Sequence, residues 1–140
     1  MVASGKMANQ GNKLALELVL GIGTPSVPAH VYVGLSTATV DEDSTLATIT
    51  ECTDATYSRQ EATFGTPSEV SDAMRTYTTS DITFGAFTTG GIAITHAFLT
   101  DAASGTTGNV IACHTLGTTK YTNAGETLKI VTGDLYVQYD

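Results

Sequence analysis

Three histidines and two cysteines are the side chains of this 140-residue chain best suited to binding a metal ion. His96 and His114 flank a loop rich in Ser, Gly and Asn, which is typical of a turn between two strands. If that turn is centred near Ser104 or Gly105, His96 lies opposite Cys113 or His114. Such a pair suits a metal, but protein metal sites need three or four ligands, and no third one follows nearby. We therefore expect half-buried, hydrogen-bonded histidines, and neither a metal ion nor another cofactor.

The two cysteines, Cys52 and Cys113, belong to no CxxC motif and no zinc-ligand spacing. A disulfide between them and two free thiols are both compatible with the sequence. We expect two buried free thiols, because unpaired cysteine behaves as a small apolar residue.

The acidic residues form no recognisable catalytic or calcium-binding pattern. Asp41–Asp43 lacks the spaced acids and the glycine of an EF-hand, so we expect a solvated loop. Glu51, Asp54 and Glu61 contain a conceivable acid–base pair, but no accompanying groups mark a catalytic centre. A Gly-x-Ser-x-Gly elbow and a phosphate-binding glycine loop are also missing from the sequence. The sequence therefore predicts that the protein is not an enzyme.

Short strands are the elements that would position these side chains. Alternating side-chain types at 92–99 and 110–116 predict two strands, joined at 101–109 into a hairpin. Further strands are predicted at His30–Ser36, Tyr57–Phe64, Met74–Thr79, Asp81–Phe84, Thr127–Val131 and Leu135–Tyr139. We expect Asp81–Phe84 to pair with the segment before it, and the last two strands to form a pair.

One helix is predicted near the start of the chain, within residues 9–22. Leu14, Leu18 and Ile22 recur at four-residue steps, and Gly21 or Gly23 is suited to end the helix. Because a short helix is marginal alone, we expect its leucine side to pack on the sheets. Residues 1–8 are small and polar, and they are predicted to form a flexible or contact arm.

Composition favours an all-β protein. Hydrophobic residues make up 41% of the chain, charged residues only 14%, and 26 residues are threonine, which favours strands over helices. We predict a single domain over residues 1–140, an antiparallel, jelly-roll-like β-sandwich with one short N-terminal α-helix. The strands would occupy residues 30–140.

Charge and hydropathy limit the classes of partner. The net charge is −8 with only six Lys and Arg residues, so a basic patch for nucleic acid or an anionic membrane is not expected. No apolar run approaches the roughly 20 residues of a membrane span. The first residues lead into no unbroken apolar core, so we expect no signal peptide and assembly in the cytoplasm.

Four side chains are candidate contacts with other protein subunits. Arg59 lies mid-strand on the same side as Glu61. It suits an ion pair between strands, a contact with a neighbouring subunit, or an exposed strand charge that contributes little to stability. Tyr32 and Tyr57 combine an apolar ring with a polar tip, as interface residues commonly do. Met7 is the fourth candidate, in the predicted arm.

Several motifs follow one another along nearly the whole chain. They are the Leu-rich helix Asn12–Leu20, the strand Val31–Thr37, Glu51 with Tyr57-Ser-Arg59, the hairpin segments Thr95–Asp101 and Gly108-Asn109, and the final Ala124–Glu126 and Gly133–Leu135. Together they resemble a family of small tailed-phage virion proteins described as tail fibre-like or capsid decoration proteins. One departure is that Thr89–Gly91 replaces the Trp-Gly expected before the hairpin, and the chain has no Trp.

The resemblance implies a structural β-sandwich subunit without catalytic residues, present in many copies and commonly as a homotrimer. Its implied partners are the major capsid protein and other copies of itself. We expect a decoration or cement protein on the capsid surface, which would strengthen the head shell through multivalent contacts. The alternative is a tail-associated fibre or a receptor-binding module for a host glycan. The short chain, without a long fibrous stalk, favours decoration.

Overall fold

A computed structural model of the protein describes residues 3–139. It contains one helix, α1 (Asn9–Leu20), among ten strands. The strands are β1 (Ala3–Met7), β2 (Val31–Ser36), β3 (Gln60–Ala62), β4 (Ser68–Val70), β5 (Ala73–Tyr77), β6 (Ile82–Phe84), β7 (Ala93–Thr100), β8 (Val110–Tyr121), β9 (Leu128–Ile130) and β10 (Tyr136–Tyr139). The predicted all-β class with one short N-terminal helix is confirmed.

The strands form two unequal layers. Eight of them make one sheet in the order β3-β2-β7-β8-β1-β10-β5-β4, and β6 and β9 make a second, two-stranded sheet. Neighbouring strands are antiparallel except β1 and β10, which run parallel. Phe84 and Ile130 of the small sheet pack with Val33, Leu35 and Leu99 of the large one in the main core. The molecule is thus a sandwich whose second layer is small.

The predicted hairpin is present as β7 and β8, but its register differs from the expectation. Thr100 pairs with Val110, and an irregularity at the next step shifts the pairing by one residue. Such a bulge inserts an extra residue into one strand. His96 consequently lies opposite Thr115, so the expected pairing of His96 with Cys113 or His114 is wrong.

The start of the chain belongs to the sheet. Ala3–Met7 is strand β1, antiparallel to β8 and parallel to β10. Over these residues the predicted arm is therefore corrected to an interior strand, while residues 1 and 2 lie outside the described residues. The insertion depends on Gly5, because its missing side chain leaves room for the His114 ring.

Two predicted strand pairings are also wrong. Strand β6 pairs with β9 rather than with the preceding β5, and β10 pairs with β5 and β1 rather than with β9. In the β6–β9 pair, Ile82 lies opposite Ile130 and Phe84 opposite Leu128. This arrangement brings apolar side chains from distant segments into one layer over the core.

The strand predicted at His30–Ser36 is confirmed as β2. A second, smaller core lies on the other side of the large sheet, where Phe98 packs with Val40, Leu46 and Val110. Phe98 covers Gly34 of β2, since a Cβ there would come within 2.2 Å of the ring. The acidic loop after β2 also fixes the start of α1, because the Asn9 amide donates a hydrogen bond to the Glu42 carbonyl at 2.9 Å.

Helix α1 ends as predicted at Gly21, which adopts the left-handed conformation with φ of 63°. Its packing is not as predicted. Among the helix's twelve residues only Gly11 is buried, where a Cβ would lie 2.2 Å from the Ile111 carbonyl oxygen. The helix therefore contacts β8 through backbone at its first turns, and Leu18 and Ile22 remain exposed. None of the described helices combines the length and apolar character needed to cross a membrane.

Candidate functional site

Arg59 and Glu51 form the main buried ion pair of the described residues. The Arg59 Nε donates to Glu51 Oε1 at 2.8 Å and its Nη2 donates to Oε2 at 2.9 Å, a two-point contact. The Arg59 side chain is only 3% exposed, so its charge is not available to a neighbouring subunit. Of the alternatives for Arg59, an internal ion pair is present, and its partner is Glu51.

The same guanidinium holds the β7–β8 loop. Nη1 donates to the Ala102 carbonyl at 3.0 Å and Nη2 to the Gly105 carbonyl at 2.8 Å. The Arg59 guanidinium carbon also lies 5.4 Å from the centre of the Phe98 ring, within range of a cation–π contact. Asp101 closes the base of the loop by accepting from the Asn109 amide at 2.7 Å. Arg59 therefore joins the loop to the second core.

Tyr57 binds the same carboxylate as Arg59, and we name Arg59, Glu51 and Tyr57 the Arg59 cluster. Its hydroxyl donates to Glu51 Oε1 at 2.7 Å and accepts from the Leu35 amide at 2.8 Å, while its ring stacks on Phe84. Burial, followed by the bond to the Glu51 carboxylate, raises the pKa of Tyr57 above its usual range. A contact role for Tyr57 with another subunit is thus restricted to the part of the ring that stays at the surface.

The other two contact candidates, Tyr32 and Met7, lie on strands β2 and β1 of the large sheet. Tyr32 is half-buried in β2, opposite Glu61 and Thr100. Met7 ends β1 and is half-buried at the edge of a shallow depression of about 150 Å³. The four predicted candidates therefore do not all lie together. Arg59 and Tyr57 share their contacts with Glu51, whereas Met7 lies on β1, which β2, β7 and β8 separate from β3.

The histidines and cysteines are likewise dispersed. Among residues 3–139, no group of three or more His, Cys, Asp or Glu side chains is placed to hold a metal ion. His114 is fully buried, and neither ring nitrogen hydrogen-bonds to a described residue, contrary to the expected half-buried, hydrogen-bonded state. Burial lowers the pKa of His114 to about 4. Cys52 and Cys113 are free thiols, as expected, although Cys113 is only half-buried.

Asp54 is a buried carboxylate with a structural role. It accepts hydrogen bonds from the backbone and hydroxyl groups of Thr56 and Thr88, and from the amide of Thr89 at 2.7 Å. Burial alone would raise the pKa of this carboxyl, but the hydrogen bonds outweigh it and hold the pKa well below its usual range. Asp54 thereby joins the segment that contains Thr56 to the segment that contains Thr88 and Thr89.

The last turns of α1 form an exposed apolar surface that was not predicted from the sequence. Val19 is 82% exposed, Leu20 62% and Leu16 51%. We name these three residues the α1 apolar surface. The sequence did contain a signal for it: between Leu14 and Leu20 only Glu17 is polar, so no polar side was left to face water.

Comparison with known proteins gives a match to a protein family. The family described as podophage GP4 fiber I protein gp80 matches residues 6–138 of the chain. No curated protein matches the chain.

Proposed function

The chain belongs to the podophage GP4 fiber I protein gp80 family and is a bacteriophage virion structural protein, and from this premise we propose that it is an adhesive, non-enzymatic subunit of the virion's fibre. It acts by binding other protein surfaces in several copies, itself included, as a homotrimer. Each contact is non-covalent, and the strength of attachment comes from the number of simultaneous contacts.

The observation that carries this proposal is the α1 apolar surface. Its three large aliphatic side chains are exposed to water, although burying each of them would be favourable. Adjacent exposed apolar side chains of this kind mark sites of protein interaction. The buried polar side chains support the same reading. The Arg59–Glu51 pair and the carboxylate of Asp54 are bonded within the chain, and their effect is to stiffen loops rather than to position a substrate.

Decoration of the capsid surface, with the major capsid protein as partner, is the second candidate. It is favoured by the shape of the subunit. The accessible surface is 7209 Å², close to the roughly 6,900 Å² expected for a compact protein of this mass. An elongated shaft would expose considerably more, so any fibre would have to be built from stacked or linked copies.

The test is the position and copy number of the protein on purified virions. Nanobody–gold labelling, viewed by electron microscopy and calibrated by quantitative mass spectrometry, locates the chain. Label at the tail in a small number of copies supports the fibre subunit. Label over the head in hundreds of copies replaces it with the decoration protein. Virions that carry neither label nor peptide contradict both functions.

A further inference from the structure

Helix α1 presents apolar side chains in two directions. One side lies against β8, where Gly11 touches the Ile111 backbone. Leu16, Val19 and Leu20 lie on the other side, at the i, i+3 and i+4 spacing that places residues together on a helix. Ile22 and Val27, which follow the helix in the chain, are also exposed.

A helix that is hydrophobic all round is normally buried. In α1 the stretch from Leu14 to Leu20 has one polar residue, Glu17, yet the sheet covers only the first turns. Spacing of apolar residues by three and four positions is also the pattern with which helices pack against one another, at about 8–10 Å between axes. Another helix is therefore the element best suited to pack on the α1 apolar surface.

The charge of the α1 segment indicates which protein provides that second helix. Residues 7–29 contain one cation and one anion, Lys13 and Glu17, which form an ion pair one helical turn apart. This segment is consequently neutral in a chain whose net charge is −8. Two copies of the chain repel each other through their net negative charge. The acidic loop adjoins α1 at Asn9, its first residue, so the last turns of the helix are the part where two copies meet less of that repulsion. A partner selected by opposite charge would instead bind elsewhere.

We infer that the α1 helices of neighbouring copies of this chain pack against one another through the α1 apolar surface, forming a closed homo-oligomer. This inference deepens the proposed function, on which it rests only for the use of the subunit in several copies. Helices placed around a symmetry axis bring the same side chains of every copy together at that axis, so one apolar surface can serve all copies. Glu17 and Lys13 then border the contact and remain in water.

The experiment measures the mass of the full chain by size-exclusion chromatography with light scattering, over a range of concentrations. Wild type is expected at an integer multiple of 14.5 kDa. Leu16→Glu with Val19→Glu is expected at the monomer mass with an unchanged far-UV spectrum. Each substitution should weaken association roughly 10- to 100-fold, the value of one buried aliphatic side chain.

Two further variants sharpen the result. Val131→Glu introduces the same charge at an apolar residue that is 46% exposed and remote from α1 in sequence, and it should keep the wild-type mass. Leu16→Gln with Leu20→Gln removes the apolar contact without adding charge, and it should also dissociate the oligomer. Dissociation by the Glu variants alone would point to charge repulsion, and it would overturn the inference.

A monomeric wild type at about 100 µM, or an oligomer that survives both α1 variants, would also overturn it. If the monomeric wild type binds other virion proteins and the α1 variants do not, the surface serves a different partner and the inference fails while the structural role remains. The labelling of virions described above is independent of these masses. The inference and the proposed function can therefore fail separately.

Discussion

The imidazole of His114 occupies the space that a side chain on Gly5 would need. The two residues face each other across β1 and β8, and a Cβ on Gly5 would lie 1.9 Å from Nδ1 of the ring. The N-terminal strand can enter the sheet because one partner is large and the other has no side chain.

We expect Gly5→Ala to lower the free energy of unfolding by about 1–3 kcal/mol, the usual cost of overpacking a core. Alanine in a strand is otherwise favoured over glycine by roughly 0.5–1 kcal/mol, so the sign of the change is diagnostic. Urea denaturation gives the value. Gly117→Ala in β8 is the control, because a Cβ there meets nothing within 4 Å. Equal stability of the two variants would refute the clash between a Cβ at residue 5 and the His114 ring. Adding His114→Ala to Gly5→Ala should restore part of the lost stability.

Stability should fall as the pH is lowered from about 6.5 to about 4. Burial lowers the pKa of His114 from 6.5 to about 4, so the unfolded chain takes up a proton before the folded one does. The resulting loss of stability is absent above pH 6.5 and grows to about 3 kcal/mol toward pH 4. His96, whose pKa burial also lowers, acts in the same direction.

Urea titrations at several pH values compare wild type with His114→Leu, which retains His96. The variant should have a flatter profile between pH 4 and 6.5, and parallel profiles would contradict the prediction. Asp54 and Asp81 act in a separate, lower window. Their pKa values are depressed, so their stabilisation is present above pH 3.8 and declines only as the pH falls further.

Replacing Arg59 with Met should destabilise the fold by about 3–5 kcal/mol, because Glu51 and two loop carbonyls lose their partner inside the protein. In Arg59→Met with Glu51→Leu, the loss should be smaller than the sum of the two single losses. Chemical denaturation of the four proteins gives the coupling energy. Lys129→Met, which breaks the exposed pair with Asp81, should have a much smaller effect. Additive losses at Arg59 and Glu51 would disprove their coupling.

Gly11→Ala should destabilise the protein by about 1–3 kcal/mol through its clash with the Ile111 carbonyl. On a helix free of such contact, the same change is stabilising by about 1 kcal/mol. Thermal unfolding followed by circular dichroism distinguishes the two signs. Asn12→Ala, at the next position of α1, is the control and should change the melting temperature little. A stabilising Gly11→Ala would mean that α1 does not touch β8 at this residue.

The β4–β5 hairpin marks one limit of sequence interpretation. Its two-residue turn is Ser71-Asp72, and both residues have positive φ, 52° and 63°. Turns of this type normally use Asn-Gly or Asp-Gly, because the left-handed conformation is strained for other residues. The sequence therefore lacked the expected signal, and β4 was not predicted. The strand predicted at Tyr57–Phe64 likewise extends only over Gln60–Ala62.

Features that depend on near neighbours were determined by the sequence alone. The strand class, the β7–β8 hairpin, strand β2 and the end of α1 at Gly21 follow from side-chain alternation and from glycine placed after an apolar run. Features that depend on distant residues were decided by the tertiary structure. These are the insertion of β1 beside β8, the pairing of β6 with β9, and the placement of Arg59 inside the fold.

The physical reason is that periodicity specifies which side of an element is apolar, but not what will cover that side. For β6 and β9 the cover is each other and the large sheet. For α1 the sheet contacts the first turns, near Val110 and Ile111, and Leu16, Val19 and Leu20 remain exposed. The sequence pattern of an apolar helix is the same whether the helix packs on the core of its own chain or on another molecule. Only the tertiary structure distinguishes these two arrangements, because it shows which apolar side chains the rest of the chain leaves exposed.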